Sequence, residues 1–94
     1  MTYKLDFDRR ALKEWSKLDP SIREQFKKKL EERLESPIVL SSKIAGAENC
    51  FKIKLRSVGY RLVYQVLEKE IVVLVLAVGK RERNSVYNAA INRA

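Results

Sequence analysis

The 94-residue chain carries 20 Lys and Arg against 12 Asp and Glu, a formal net charge of +8, and has no histidine. Its length makes one small domain (1–94), and a 46% hydrophobic content argues against disorder despite the charge. No apolar run reaches the ~20 residues of a transmembrane helix, and the longest, Ile71 to Val78, is strand-sized. The N-terminus MTYKLDFDRR lacks the long apolar core of a signal peptide. A single cysteine, Cys50, rules out an intrachain disulfide and points to a reducing, cytoplasmic location. Without imidazole, proton transfer falls to carboxylates, lysine, tyrosine, arginine-assisted solvent or the substrate itself. Zinc chemistry is disfavoured for the same reason, and neither a metal nor a cofactor is expected. A sequence pI near 9.8 is the electrostatic footprint of a polyanion partner, nucleic acid before an acidic protein or a membrane surface.

Tyr3, Leu5 and Phe7 alternate with Lys4 and Asp6, which predicts a short first strand. Asp8 is suited to N-cap a helix whose stripe is Ala11, Leu12, Trp15 and Leu18. Asp19-Pro20 ends that helix and starts another, with Ile22, Phe26, Leu30 and Leu34 on its apolar face and Ser36-Pro37 at its end. Residues 38–49 read as a loop-like connector. Strands follow at 50–56, 60–66 and 71–78, the last apolar on both faces and therefore central. Asn84 is expected to cap a short C-terminal helix containing Tyr87 and Ile91. The order β-α-α-β-β-β-α describes an α+β domain. Two N-terminal helices lie on one face of a small four-stranded, mostly antiparallel sheet, and the first strand sits at an edge beside the last.

The stretch CFKIKLRSVGYR concentrates the chemistry. Phe51, Ile53 and Leu55 alternate with Lys52, Lys54 and Arg56, so the three cations share a face. A tight turn at Val58-Gly59 predicts Leu55 opposite Leu62, Ile53 opposite Tyr64, and Arg56 opposite Arg61. Like charges across a sheet destabilise it, so this cluster asks for a polyanion rather than serving stability. The second constellation, GKRER followed by NSVY, holds Lys80, Arg81, Arg83 and Tyr87 at the end of the central strand. Arginine offers a planar fork for phosphate, and a tyrosine there is suited to orient or deprotonate a ribose hydroxyl. On the second helix, Arg23, Lys27, Lys28, Lys29, Glu31, Glu32 and Arg33 read as a solvated face, with Lys27 and Lys28 as an accessory RNA patch. Trp15, Tyr60 and Tyr64 fall on core stripes, and Asp6 with Asp8 carries little weight as an acid–base pair.

Four stretches, LDFDRRALKEW, REQFKKKLEERLESP, CFKIKLRSVGYRLVYQV and VGKRERNSVY, closely resemble the RelE-type toxins of bacterial type II toxin–antitoxin modules, in the RelE/ParE superfamily. The resemblance runs along nearly the whole chain. It implies a RelE-like fold and a metal-free, ribosome-dependent endoribonuclease that cuts mRNA in the ribosomal A site. In that reaction the ribose 2′-hydroxyl attacks the adjacent phosphate, leaving a 2′,3′-cyclic phosphate and a 5′-hydroxyl. By position, Lys52 and Lys54 act near the attacking hydroxyl and the phosphorane, and Arg61 and Arg81 stabilise its charge. Tyr87 stacks on or orients the mRNA and shares the base role, and Arg83 helps hold substrate or ribosomal RNA. From the charge pattern itself, Lys80, Arg56, Lys27 and Lys28 are expected to contact RNA or ribosome. The implied partners are the small ribosomal subunit with its A-site mRNA and a RelB-like antitoxin that covers or displaces the C-terminal helix. Operator DNA is reached only through the antitoxin, and no membrane is involved. The family pattern Lys-Leu-Arg-Gly appears here as Lys43-Ile44-Ala45-Gly46, so Ala45 stands where a cation is expected. The alternative reading is a non-catalytic module of the same fold that binds RNA or an operator complex.

Overall fold

Strands and helices form in the order the sequence predicts. The computed structural model describes residues 2–82 and 84–94. Strand β1 (Lys4–Phe7) leads into helices α1 (Arg9–Ser16) and α2 (Pro20–Glu35), then a 3-10 turn at Leu40–Ser42. Strands β2 (Cys50–Leu55), β3 (Tyr60–Leu67) and β4 (Val72–Lys80) follow, and helix α3 (Ser85–Arg93) closes the chain. The sheet order is β1-β4-β3-β2, with β1 parallel to β4 and the other pairs antiparallel. The strand that is apolar on both faces is therefore interior, and among the described residues no helix is long and apolar enough to cross a membrane.

Local chemistry sets the helix starts. The Asp8 carboxylate accepts the Arg10 amide at 2.9 Å and pairs with the Arg10 side chain at 3.2 Å. The Arg10 guanidinium holds that carboxyl below the usual carboxylate range. Its contribution to stability is thus complete at neutral pH and is lost as pH falls through the lowered value. Asp19 precedes Pro20 as expected, but its side chain makes no capping bond; its carbonyl takes the Ile22 and Arg23 amides at 3.0 Å.

Two apolar clusters sandwich the sheet. On one face, Ile22, Phe26 and Leu30 of α2 and Ala11 of α1 pack on Phe51, Ile53, Leu62, Tyr64, Val66, Val73 and Val75. Trp15 bridges Phe7 and Phe26, at ring-centroid distances of 5.2 and 6.3 Å. On the other face, Val86 and Ala90 of α3 cover Cys50, Val63, Leu76 and Ala77. A bulge makes that second contact. Val63 pairs with Ala77 but Tyr64 pairs with Val75, so Leu76 is an extra residue and joins Ala77 beneath α3. Burial pushes the Cys50 thiol up to about 11, as befits a small core residue.

The β2–β3 hairpin corrects one expectation. Leu55 pairs with Tyr60, Lys54 with Arg61 and Ile53 with Leu62, two residues away from the tight-turn register. The loop spans four residues, 56–59, closed by Gly59 N donating to Leu55 O at 2.9 Å, with Gly59 at φ 71°. A shift of two preserves the face of every side chain. It makes Lys54, not Arg56, the residue directly across from Arg61.

Helix α3 is latched to α1 through charge. Arg93 Nη1 and Nη2 donate to the two Glu14 carboxylate oxygens at 2.9 and 3.1 Å, and Nη1 also donates to Leu76 O at 2.8 Å. Val78 N donates to Glu14 at 3.3 Å, so these two side chains cap the β4 edge beyond the end of β1. Arg93→Ala should lower stability in urea denaturation by about 1–3 kcal/mol, the range for charged hydrogen bonds. It should also speed alkylation of buried Cys50 in the native state. Unchanged labelling would mean that apolar burial alone seats α3.

Candidate active site

The period of two along β2 sends Lys52 and Lys54 to the face that carries α3, and Arg61 joins them from β3. Arg61 pairs in turn with Gly79 of β4, which leaves room there because it has no side chain. Arg81 follows the end of β4, and its amide donates to Gly59 O at 2.7 Å, tying it to the hairpin loop. A cleft of about 330 Å³ results, in which, among the described residues, Lys54, Arg56, Arg61 and Arg81 supply the charge. Tyr87 on α3 places its ring beneath Arg61, with the guanidinium carbon 5.1 Å from the ring centroid. The Tyr87 hydroxyl is buried and has no hydrogen-bond partner among the described residues. On the Lys52 side, a second pocket of about 320 Å³ lies against Tyr87.

The structure therefore gathers Lys52, Lys54, Arg56, Arg61, Arg81 and Tyr87. It separates the rest. Lys80 pairs with Tyr60 and lines a different groove with Glu14 and Glu82. Lys27 and Lys28 are on α2, which covers the opposite face of the sheet, and Lys27 lines a groove with Leu5, Phe7 and Trp15. Arg83 lies outside the described residues. Asn84 sits at the α3 N-cap position, but at φ 63° and with no side-chain capping bond, contrary to the expected cap.

One contributor was hidden in the sequence. Arg33, read as part of a solvated face, is half-buried and turns inward. Its Nη1 donates to Tyr64 Oη at 2.8 Å and to Lys52 O at 3.4 Å, and its Nη2 to Ser42 Oγ at 3.3 Å. Tyr64 Oη donates onward to Pro37 O at 2.7 Å. Arg33 thus ties α2, the connector and the outer edge of β2 together behind Lys52. Its inward position follows from the i+3 spacing to Leu30, a stripe member, which is the one signal available in the sequence.

The electrostatics follow from the packing of like charges. Among the described residues the salt bridges are Arg10–Asp8 and Arg93–Glu14, so none of the gathered cations is neutralised by a carboxylate within 4 Å. Lys54 responds most clearly. Lys52 beside it, then desolvation, then Arg61, Arg56 and Arg81 lower its pKa below the usual lysine range. Such an amine is easier to present in neutral form as a proton acceptor, while arginines stay charged to hold an anion. The folded chain binds fewer protons here than the unfolded one, so stability rises with pH across the interval between the two values. Lys52→Met should raise the Lys54 pKa, measured by NMR titration of the lysine side chain, and flatten that alkaline rise in stability. An unmoved titration would show that Lys52 is not the principal neighbour.

Comparison with known proteins gives the same picture. Residues 5–85 match the family described as ParE toxin of type II toxin-antitoxin system, parDE. The chain is 60% identical over 93 residues to the mRNA interferase toxin RelE of Escherichia coli K12, covering 99% of this chain and 98% of the relative. It superposes with a TM-score of 0.91 on a doubly substituted E. coli RelE in the free state, at 58% identity and covering 99% and 98% of the two chains. It superposes with a TM-score of 0.84 on RelE bound to an antitoxin RelB peptide, at 57% identity and covering 100% and 99%. With residues 5–85 inside one family and near-complete coverage of these relatives, the chain belongs to the RelE/ParE family of type II toxins.

Proposed function

We propose that the chain is the toxin of a type II toxin–antitoxin module and a ribosome-dependent endoribonuclease that cuts mRNA in the A site. The observation that carries this reading is the Lys54–Arg61 pair, two cations held face to face on rigid strands with Arg81 at their side and no carboxylate on them. Such a site binds a dianionic phosphorane better than the monoanionic phosphodiester from which it forms. Neutral Lys54 takes the proton from the ribose 2′-hydroxyl. The 2′-oxygen then bonds to the adjacent phosphorus, and the bond to the 5′-oxygen breaks. Solvent returns a proton to that oxygen, giving 2′,3′-cyclic phosphate and 5′-hydroxyl ends. Arg61 and Arg81 hold the equatorial charge, and Lys52 keeps the Lys54 amine weakly basic while contacting a neighbouring phosphate. Tyr87 works through its ring, stacking on a base, because its hydroxyl is occluded.

A non-catalytic RNA-binding module of the same fold would hold the same charge, and its cations would lower Lys54 equally. What favours catalysis is the 60% identity over nearly the whole chain to relatives named mRNA interferase. The relatives' pairing with RelB supports a RelB-like antitoxin as the cognate partner, one that covers or displaces α3 and so disturbs Tyr87. Operator DNA is then contacted through the antitoxin, and the place of action is the cytoplasm, where translating ribosomes are. Programmed ribosomes give the test. Purified chain should cut A-site mRNA, with a rate that climbs with pH to a midpoint below the ordinary lysine value. Lys54→Ala or Arg81→Ala should slow cutting by about 10²–10³, the range for removing one oxyanion donor. Arg56→Ala, at the exposed loop, should cost less than about tenfold. Equal losses from all three would indicate bulk charge, and intact mRNA at stoichiometric toxin would end the reading.

A further inference from the structure

The cleft around Lys54 is built of cations and suits what every nucleotide shares, its phosphate. The pocket on the other side of Tyr87 differs in kind. Lys43 and Lys52 bring charge to it, Asn84 and Asn88 bring carboxamides, and Ile44, Ala45 and Ile91 give apolar wall beside the Tyr87 ring. A flat apolar surface with paired donors and acceptors at its rim is what an unstacked nucleobase requires. We propose that this pocket receives the base of the nucleotide flanking the scissile phosphate, reads its edge through Asn84 and Asn88, and so sets the codon preference of the cleavage; the inference rests on the endoribonuclease reading above.

Three observations make the pocket a formed site. Asn84 occupies the position where a carboxamide ordinarily caps the helix, yet its side chain makes no capping bond and lines the pocket instead. Asn88 lies one turn further along α3, four residues on, so both amides share a face. The opposite wall is pinned. Lys43 bridges to Phe51, and Ile44 N donates to Cys50 O at 3.0 Å. Gly46, at φ 89°, approaches Ile91 so closely that a Cβ there would stand 3.1 Å from Ile91 Cδ1. Lys52 and Lys54, two residues apart on one strand face, are separated by about 6.7 Å along β2. A phosphate at Lys52 is therefore the immediate neighbour of the one being cut at Lys54, and its base falls to the Tyr87 side. A carboxamide pairs with a base edge through one donor and one acceptor, which distinguishes bases by about tenfold or more.

The experiment is cleavage of ribosomes programmed with a library of A-site codons, comparing wild type, the double variant Asn84→Gly with Asn88→Ala, and Asn88→Asp. Glycine suits the left-handed backbone at position 84, and position 88 is exposed, so neither change disturbs folding. Wild type should favour one base at one codon position by about tenfold or more. The double variant should compress that preference to about twofold while cutting the best codon at a rate within tenfold of wild type. Asn88→Asp, which exchanges the amide donors for acceptor oxygens, should reorder the preferred bases. A double-variant profile that superimposes on wild type overturns the inference, as does a wild type that cuts all codons alike. A uniform rise in the ribosome concentration needed for half-maximal cutting, with codon order kept, assigns the pocket to a ribosomal RNA base and overturns its assignment to mRNA. A wild type that cuts no codon overturns the endoribonuclease reading together with this one.

Discussion

Lys54 and Arg61 stand directly opposite each other across the β2–β3 ladder, and the rest of the chain is arranged so that this repulsion can be carried. Facing like charges cost something on the scale of about 0.2–1 kcal/mol for a cross-strand pair. The reverse side of the same two strands buries Phe51, Ile53, Leu55, Leu62, Tyr64 and Val66, each 4% exposed or less. Burying one such side chain contributes about 1.5–3 kcal/mol, so a single neighbour offsets the repulsion. The alternation that gathers the cations is the alternation that supplies this burial. Fold and site are two faces of one pattern, and a substitution that loosened the first would spread the second.

Rigidity of the charged face also depends on how the sheet edges are closed. At β2, Ile44 N bonds Cys50 O and Arg33 bonds Lys52 O. At the end of β4, Glu14 takes Val78 N and Arg93 bonds Leu76 O. The β2 edge, and β4 where it runs beyond β1, are thus capped by groups from elements packed beside the sheet, which blocks pairing with another strand there and holds the backbone under Lys52 and beside Tyr87. Strands fixed in this way keep cations at set separations, so little reorganisation is left for the moment when negative charge develops on phosphate. Helix α3 joins the site from outside the sheet. It meets the sheet through a small cluster around Val86 and Ala90, and the Arg93–Glu14 pair makes up for the modest area.

The faces of the strands were legible in the sequence because a period of two survives any even error in register. The register itself was not. Val58-Gly59 looks like a two-residue turn, and only the left-handed backbone of Gly59 closing on Leu55 reveals a loop of four. That difference decides whether Arg56 or Lys54 meets Arg61. The bulge at Leu76 was equally hidden, since a run of Val, Leu and Ala reads the same in either phase. Charged residues on helices were the least legible of all. Arg33 reads as solvated charge by pattern, and nothing in the pattern marks Arg93 or Glu14. Yet they hold the connector, α3, the β2 edge and the end of β4, because a long side chain can reach back to carbonyls that no sequence pattern marks. The outward placement of Lys27 and Lys28 on α2 separates them from the cleft although their charge is as dense as that of Lys52 and Lys54.

Ala45 acquires a meaning that charge counting alone does not give it. A basic residue there would add one phosphate contact, and phosphate contacts strengthen binding of all sequences alike. A methyl group instead leaves an apolar wall beside Tyr87, open to the carboxamides of Asn84 and Asn88. The exchange removes affinity that is blind to sequence and exposes directional groups that are not. On the proposed division, with cutting in the cationic cleft and reading in the pocket across Tyr87, each can vary without dismantling the other, since the two meet at the tyrosine ring and at the spacing of Lys52 from Lys54.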